Sequence, residues 1–84
     1  MDKESLIGKT ISYHWRDEIS DETMAFTIKE VKFNGRSYGI KGKDGQEYLT
    51  FTIREIKKLI TDGRTERRMK TGGLSVEETY TITD

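Results

Sequence analysis

Two turn signals constrain the fold of this chain more than any other feature of its sequence. Asn34-Gly35 and Asp44-Gly45 each separate two stretches in which apolar residues alternate with polar ones. Asparagine or aspartate followed by glycine favours a tight β-hairpin, because both residues tolerate the positive φ angles that such turns require. The alternation has a period of two, which is typical of half-buried strands. The sequence therefore predicts an antiparallel meander from Met24 to Ile53.

The two turns also predict strand registers. The second turn places three pairs opposite each other: Ile40 with Leu49, Tyr38 with Phe51, and Arg36 with Ile53. A slip of one residue in this register would turn the apolar side chains away from the core. If Asn34-Gly35 forms a two-residue loop, Phe33 lies opposite Arg36 and Val31 lies opposite Tyr38.

The strand before the first turn carries a predicted irregularity. Apolar residues alternate up to Ile28 and again from Val31, but the phase slips by one residue between them. A β-bulge near Lys29 and Glu30 would absorb the extra residue and bend the strand. An earlier stretch, from Gly8 to Arg16, alternates without interruption and predicts another strand.

A helix signal follows the meander. Thr52 and Glu55 have the spacing of a capping box, in which each side chain accepts a hydrogen bond from the other residue's backbone N–H. Three of the following residues would form one apolar helical face, and Gly63 can end the helix. The alternative is a turn at residues 54–55 followed by a strand from Ile56 to Thr61, because a short apolar run fits both structures.

The remaining residues complete a predicted small barrel. Residues 63–73 are polar and rich in arginine and predict a flexible basic loop, whereas Val76 to Thr83 alternates and predicts the last strand. Five short strands with tight turns favour a mainly β fold, namely a strongly bent antiparallel SH3/Sm-like barrel with one short helix or helical turn. An open sheet packed by the helix is the alternative. Residues 1–84 are predicted to form a single domain.

The composition excludes several classes of protein. The 84 residues include no cysteine and no long apolar run, so we expect no disulfide, no thiolate nucleophile, no transmembrane helix and no membrane partner. The sequence suggests no cofactor and fits a cytoplasmic location. Leu, Ile, Val and Phe total only 18 residues. Because so small an apolar set gives little net stability, stabilisation by a partner or by a second copy is expected.

Candidate catalytic residues are few. His14 is the only histidine and lies on the polar side of the first predicted strand. The sequence places no activated nucleophile or second ligand beside it, as general base catalysis or metal binding would require. The chain is therefore expected not to be an enzyme. Four acidic residues match no metal-binding spacing and are interpreted as a solvated loop that could contact a protein: Asp17, Glu18, Asp21 and Glu22.

The neutral total charge of the chain conceals a segregated distribution. Fifteen Lys and Arg balance fifteen Asp and Glu, yet residues 54–70 hold seven bases and three acids, a net of +4. Arginine-rich segments bind phosphates and carboxylates well, because guanidinium is forked and weakly hydrated. The predicted binding residues are therefore the seven bases and one aromatic that falls on the opposite side of its strand from the core: Arg54, Lys57, Lys58, Arg64, Arg67, Arg68, Lys70 and Tyr48.

Three short motifs between Lys9 and Ile60 resemble a known family. They are an Ile-x-Tyr opening at Ile11 and Tyr13, a Tyr-Leu pair at Tyr48 and Leu49, and a Phe-x-hydrophobic-x-acid-Ile segment at Phe51, Ile53, Glu55 and Ile56. They resemble the WYL domain of bacterial regulators, although Glu47 stands where that family has a tryptophan. The resemblance implies an SH3/Sm-like barrel and a regulatory role linked to nucleic acid.

Two classes of function fit these observations. The favoured hypothesis is a small regulatory or inhibitory module that binds a protein, of the kind that phages and mobile elements often encode. It would use the acidic residues or an exposed sheet edge. The alternative is a nucleic-acid-binding small barrel that uses residues 54–70. Net neutrality weakens the alternative, because nucleic-acid binding depends on positive charge.

Overall fold

The computed structural model describes residues 3–83, so residues 1, 2 and 84 of the predicted domain lie outside the described residues. A short 3₁₀ helix, Lys3–Leu6, precedes the first strand. In chain order the other elements are β1 (Thr10–Arg16), β2 (Asp21–Phe33), β3 (Ser37–Gly42), β4 (Tyr48–Thr52), α1 (Ile53–Asp62), β5 (Arg64–Thr71) and β6 (Leu74–Thr83).

The described strands form one antiparallel sheet in the order β4-β3-β2-β1-β6-β5. The sheet curls into a half-barrel, so the predicted mainly β fold with one bent antiparallel sheet is confirmed. The predicted number of strands is wrong, because the described chain contains six rather than five. Since β4 and β5 are the two edge strands and α1 joins them in sequence, the helix connects one edge of the half-barrel to the other.

The predicted meander forms, with one register correct and one wrong. Tyr38 pairs with Phe51 and Ile40 with Leu49, as the second turn predicts. The third predicted pair, Arg36 with Ile53, does not form, because Arg36 lies in the first turn and Ile53 begins α1. At the first turn Phe33 pairs with Tyr38 instead of Arg36, which brings two aromatic residues together. The prediction failed because the turn centres on Gly35 and Arg36, so that the Asn34 N–H donates to the Ser37 carbonyl over 3.0 Å.

The geometry of Asn34 explains this shift of the turn. Gly35 has a φ of 98°, but no non-glycine residue between positions 3 and 83 has a positive φ. Asn34 therefore takes no part in a type I′ turn and instead accepts hydrogen bonds through Oδ1 from the N–H groups of Arg36 and Ser37. The predicted β-bulge is confirmed, because the β2–β3 register shifts between Ile28 and Glu30.

The helix prediction is confirmed and the alternative strand over Ile56–Thr61 is wrong. The Thr52 Oγ1 accepts the Glu55 N–H over 3.1 Å, and Glu55 Oε1 accepts the Thr52 N–H over 2.9 Å. This capping box satisfies backbone donors that the first helical turn would leave unpaired. Gly63 closes the helix with a φ of 73°, a left-handed conformation that costs other residues free energy.

The prediction of a flexible loop over residues 63–73 is wrong. Most of this segment is the edge strand β5, which pairs with β6 along its length and ends in a turn at Gly72 and Gly73. The strand is polar because its outward side chains face solvent and one inward position holds an arginine. Backbone pairing with β6, rather than an apolar alternation, therefore holds these residues in the sheet.

The core lies on the concave side of the sheet, beneath α1. The 3₁₀ helix, strands β1 to β4, α1 and β6 all contribute buried side chains to one cluster: Leu6, Ile11, Phe26, Ile28, Val31, Ile40, Phe51, Ile56, Leu59 and Tyr80. Ile56 and Leu59 lie on one face of α1, which leaves the opposite helical face to solvent.

Candidate functional site

Six of the seven predicted basic residues are exposed on two elements that pack against each other. They define what we call the basic surface: Arg54, Lys57 and Lys58 on α1, and Arg64, Arg68 and Lys70 on β5. The helical spacing of 54, 57 and 58 places these three residues on the helical face opposite the core. Four of the seven predicted bases lie on the strand β5 and not in the flexible loop that the sequence predicted.

Ion pairing leaves most of the basic surface uncompensated. Arg64 pairs with Glu66, and Arg68 Nε lies 3.8 Å from Glu77 Oε1. The hydrogen bond and charge of Arg64 lower the pKa of Glu66, so that this carboxylate stays ionised. Among residues 3–83, the other four members of the surface form no ion pair. The surface therefore presents free cations to a partner.

Arg67 differs from the other basic residues, because its side chain turns inward and is only 31% exposed. Its Nε donates to Glu55 Oε2 over 2.7 Å, and its Nη2 donates to Glu55 Oε1 over 2.9 Å. Such a two-point pair is the strongest form of arginine–carboxylate contact. The hydrogen bond with Glu55 raises the pKa of Arg67. Arg67 is thus committed to contacts within the chain.

The Arg67 guanidinium also connects the two edges of the half-barrel. Its Nη2 donates to the backbone carbonyl of Thr50 on β4 over 2.9 Å. Its central carbon lies 5.6 Å from the ring centroid of Phe51 and 5.4 Å from that of Tyr80, within the range of cation–π attraction. One side chain of β5 therefore links β5, β4 and the start of α1.

A buried acid completes the surroundings of Arg67. Glu78 is 8% exposed, and one of its oxygens accepts a hydrogen bond from the Tyr80 hydroxyl and lies 4.0 Å from Arg67 Nη1. Burial and this hydrogen bond raise the pKa of Tyr80 far above its usual range. Burial and the charge of Glu78 also raise the pKa of Tyr13. Both tyrosines therefore stay protonated at physiological pH.

The backbone of β5 leaves alternate residues unpaired at the sheet edge. The Ile82 N–H donates to the Gly63 carbonyl over 2.8 Å, so the backbone groups of residue 63, and of every second residue after it, point towards β6. Because antiparallel pairing alternates, residues 65, 67 and 69 bond to β6, whereas Arg64, Glu66, Arg68 and Lys70 direct N–H and C=O groups away from the sheet. Within residues 3–83 no strand pairs with this side of β5, so its edge is a row of donors and acceptors without a backbone partner there.

The edge of β4 is shorter than that of β5, and one of its outward carbonyls already accepts a hydrogen bond. The Gly42 N–H donates to the Glu47 carbonyl over 3.0 Å, so the backbone groups of Tyr48 and Thr50 point outward by the same alternation. The carbonyl of Thr50 is the acceptor that Arg67 occupies. Of the two edges, β5 thus offers the longer run of unpaired backbone.

A cleft separates the two edges. It has a volume of about 570 Å³ and is lined by residues 50–52 of β4, residues 65–67 of β5, and Arg54, Glu55 and Lys58 of α1. A second cleft of about 480 Å³ lies between α1 and the outer side of β5. Both clefts are flanked by members of the basic surface.

Tyr48 lies apart from the basic surface. It is on β4, opposite Lys41, and lines neither cleft. Its ring covers Gly39, where a Cβ atom would collide with the ring carbon Cζ at 2.8 Å. The side chain is 54% exposed, yet its position is fixed by the bare glycine backbone that it covers. The structure therefore does not bring Tyr48 together with the predicted cations.

The four predicted acidic residues do not form one surface either. Asp17 caps the β1–β2 turn, where Oδ1 accepts the N–H groups of Ile19 at 2.7 Å and Ser20 at 2.5 Å. The hydrogen bonds from Ser20 and Ile19 lower the pKa of Asp17. Glu18 lies in the same turn, whereas Asp21 and Glu22 are consecutive in β2 and point to opposite faces.

The structure brings His14 close to Asp21, with Nε2 and Oδ1 2.5 Å apart on the outer face of the sheet. Between residues 3 and 83, no group of three or more His, Asp or Glu side chains is arranged to hold a metal ion. Within that same range, no helix is long and apolar enough to cross a membrane.

Sequence reasoning missed the groups that surround Arg67. Glu78 and Tyr80 belong to a predicted strand, and Thr50 contributes only a backbone carbonyl. The sequence does carry a signal for the burial of Glu78, because the alternation of Val76, Tyr80 and Ile82 puts this residue on the buried side of the strand. A buried carboxylate requires a cation, which is what the neighbouring strand supplies.

Comparisons of this chain with protein-family models, with curated proteins and with solved structures found no match.

Proposed function

We propose that this protein is a non-catalytic regulatory or inhibitory module that binds a protein partner with an acidic surface. The observation that carries the proposal is the basic surface, which combines exposed cations of α1 and β5 beside the open edge of a sheet. Sheet edges are common docking sites for protein segments. Charge complementarity would bring the partner to this side of the molecule and set its orientation.

Three features favour a protein over a nucleic acid as the partner. Glu66 and Asp62 interrupt the cations of the second cleft, so they would repel a backbone that carries a charge on every nucleotide, whereas a protein can place a neutral residue opposite them. Arg67 is bound to Glu55 and so is not available to a phosphate backbone. The exposed aromatic Tyr48 lies on the other edge strand, where it cannot act together with these cations to stack and neutralise a nucleotide.

The proposal includes the architectural class expected from the sequence. A curled antiparallel sheet with a bulged second strand is compatible with an SH3/Sm-like small barrel. The extra edge strand β5 is the departure from the five-strand expectation, and it is the element that carries half of the basic surface. Resemblance to WYL-type regulators thus remains part of the proposal, with β5 as the addition.

The proposal is tested by capture of partners from nuclease-treated lysate with mass spectrometry. The test variant replaces Lys57, Lys58, Arg64 and Arg68 with glutamine, and the control variant replaces four other exposed lysines: Lys29, Lys32, Lys41 and Lys43. We expect one stoichiometric protein with wild type and control. The test variant should lose it, because each removed cation weakens attraction to an acidic surface.

A parallel measurement separates the two classes of partner. Binding of a fluorescent pool of single-stranded and duplex oligonucleotides is measured by anisotropy at 50 and 200 mM salt. The proposal predicts no oligonucleotide binding at 200 mM salt. Tight, steeply salt-dependent binding that is lost in the four-glutamine test variant would overturn it in favour of a nucleic-acid-binding module.

A further inference from the structure

The edge of β5 combines two properties that specify a mode of docking. Its outward backbone groups are unpaired at Arg64, Glu66, Arg68 and Lys70, and three of these four residues are basic. Edge strands of natural proteins often carry charge because charge prevents edge-to-edge aggregation. Such charge also selects a partner strand, because a strand of opposite charge would not be repelled.

The helix covers only one half of this edge. Gly63 joins the end of α1 to the start of β5, and Glu55 at the start of α1 bonds to Arg67. The helix therefore runs beside β5 from Arg64 to Arg67, and the strand continues beyond it through Arg68 to Lys70. The backbone groups of Arg68 and Lys70 are accordingly the most accessible part of the edge.

The side chains of this accessible half alternate between basic and apolar. Arg68 and Lys70 are exposed on the outer face, whereas Met69 lies between them on the inner side and is 41% exposed beside Val76. Residues of an added strand stand directly opposite these three positions and point to the same faces. The best complement is thus an acidic residue, an apolar residue and a second acidic residue in succession.

We propose that an extended acid–apolar–acid segment of the protein partner adds to β5 as a seventh, antiparallel strand, opposite Lys70, Met69 and Arg68. This inference rests on the proposed function and names the partner segment that the basic surface would recognise. Antiparallel addition continues the pattern of every strand pair in the sheet. Main-chain hydrogen bonds would hold the segment, and the alternating side chains would select it.

The pattern also predicts which residue type follows the triplet in the chain direction of the segment. Counted along an antiparallel partner, the second residue after the triplet approaches Glu66, where the helix begins to flank the edge. An acidic residue at this position would face a carboxylate that Arg64 keeps ionised. The segment should therefore lack an acidic residue there, which distinguishes it from a uniformly acidic tail.

The test uses a displayed library of random twelve-residue peptides, selected on the full-length protein at 150 mM salt. We expect enrichment of the acid–apolar–acid triplet, with no acid two residues after it. A selected peptide, synthesised, is then titrated against two variants of one position. Arg68→Pro removes both the charge and the outward N–H, whereas Arg68→Ala removes the charge and keeps the N–H.

Strand addition predicts that Arg68→Pro binds the peptide at least about tenfold more weakly than Arg68→Ala, a difference of about 1.4 kcal/mol. Near-ultraviolet circular dichroism checks that both variants are folded. If Arg68→Pro does not fold, the same comparison is made with Lys70→Pro and Lys70→Ala. Equal affinity of the folded proline and alanine variants would overturn strand addition.

The outcomes also separate this inference from the proposed function. Peptides that bind the two position-68 variants equally, but fail to bind the four-glutamine variant, would support an acidic protein partner and overturn its docking as a strand. Failure to enrich any peptide, together with oligonucleotide binding, would overturn both. A concentration-dependent increase in mass by light scattering, with no peptide enriched, would replace the partner segment with a second copy of this chain.

Discussion

Two hairpins at opposite edges of the sheet are stabilised by different means. The β3–β4 hairpin pairs Tyr38 with Phe51 and Ile40 with Leu49, so its inward side is apolar. The β5–β6 hairpin places Arg67 opposite the buried Glu78 on its inward side. Burial of apolar area stabilises the first hairpin, whereas in the second a charged network that reaches across the cleft adds to the backbone pairing of β5 with β6. The two edges of one sheet are thus stabilised by different interactions.

The largest effect is expected in the apolar hairpin. Ile40→Ala should lower the free energy of unfolding by about 3–4 kcal/mol, because the side chain is fully buried and its removal leaves a cavity. Met69→Ala, at an inward position of β5 that is 41% exposed, should cost less than about 1 kcal/mol. Urea unfolding monitored by Trp15 fluorescence measures both values. Equal losses would contradict the contrast between the hairpins.

The second largest effect is expected at Arg67. Arg67→Ala should cost about 2–3 kcal/mol, because it leaves the carboxylates of Glu55 and Glu78 unpaired in a largely buried site. Arg67→Lys should cost about 1 kcal/mol less, since an ammonium keeps the charge but loses the two-point pair. In a Glu55→Gln background the cost of Arg67→Ala should fall. A loss below about 0.5 kcal/mol in the wild-type background would mean that Arg67 behaves as a surface residue.

A third prediction concerns pH. Burial alone would raise the pKa of Glu55, but the hydrogen bonds from Arg67 and Thr52 and the charge of Arg67 bring it below the usual value of 4.5. A lowered folded pKa stabilises the protein above pH 4.5, and this contribution is lost as the pH falls through the folded pKa. Wild type should therefore lose more stability between pH 6 and pH 2.5 than Glu55→Gln. Parallel curves for the two proteins would contradict the network, because Asp17 and Glu66, which also have lowered pKa values, are present in both.

The smallest effect is expected on the outer face of β5. Arg68→Ala and Lys70→Ala should each change the free energy of unfolding by less than about 0.5 kcal/mol, because both side chains are exposed. The same substitutions should weaken partner binding. A stability loss above about 1 kcal/mol would show that these residues serve the fold, and would remove the distinction between the inward and outward faces of the strand.

The two hairpins also differ in how well the sequence predicts them. In the meander, apolar alternation and the Asp44-Gly45 turn predict the register, because both report on the burial of side chains. The turn lies one residue beyond the predicted Asn34-Gly35 loop, since the Asn34 side-chain Oδ1 accepts the N–H groups of Arg36 and Ser37 and so favours a turn centred further along the chain. Such local competition between turn types is not visible in the residue pattern.

The strand β5 could not be predicted from its own residues. Its inward positions are threonine, arginine and methionine, so the period of two carries no apolar signal. Its partner strand supplies the reason that an arginine fits there, because Glu78 lies opposite Arg67 in the register. The basic residues of the candidate site were identified from their charge alone, whereas the separation of Arg67 from the other six required the three-dimensional contacts.

Amide hydrogen exchange of the free protein, followed by NMR, tests most directly whether the edge of β5 is open. The outward N–H groups of Arg68 and Lys70 should exchange nearly as fast as those of an unstructured peptide. The N–H groups of Arg67 and Met69 point inward, towards β6, and bond to it. They should therefore exchange at least about a hundredfold more slowly. Protection of Arg68 and Lys70 equal to that of their inward neighbours would show that the edge is already paired, and would contradict the proposed docking of a partner strand.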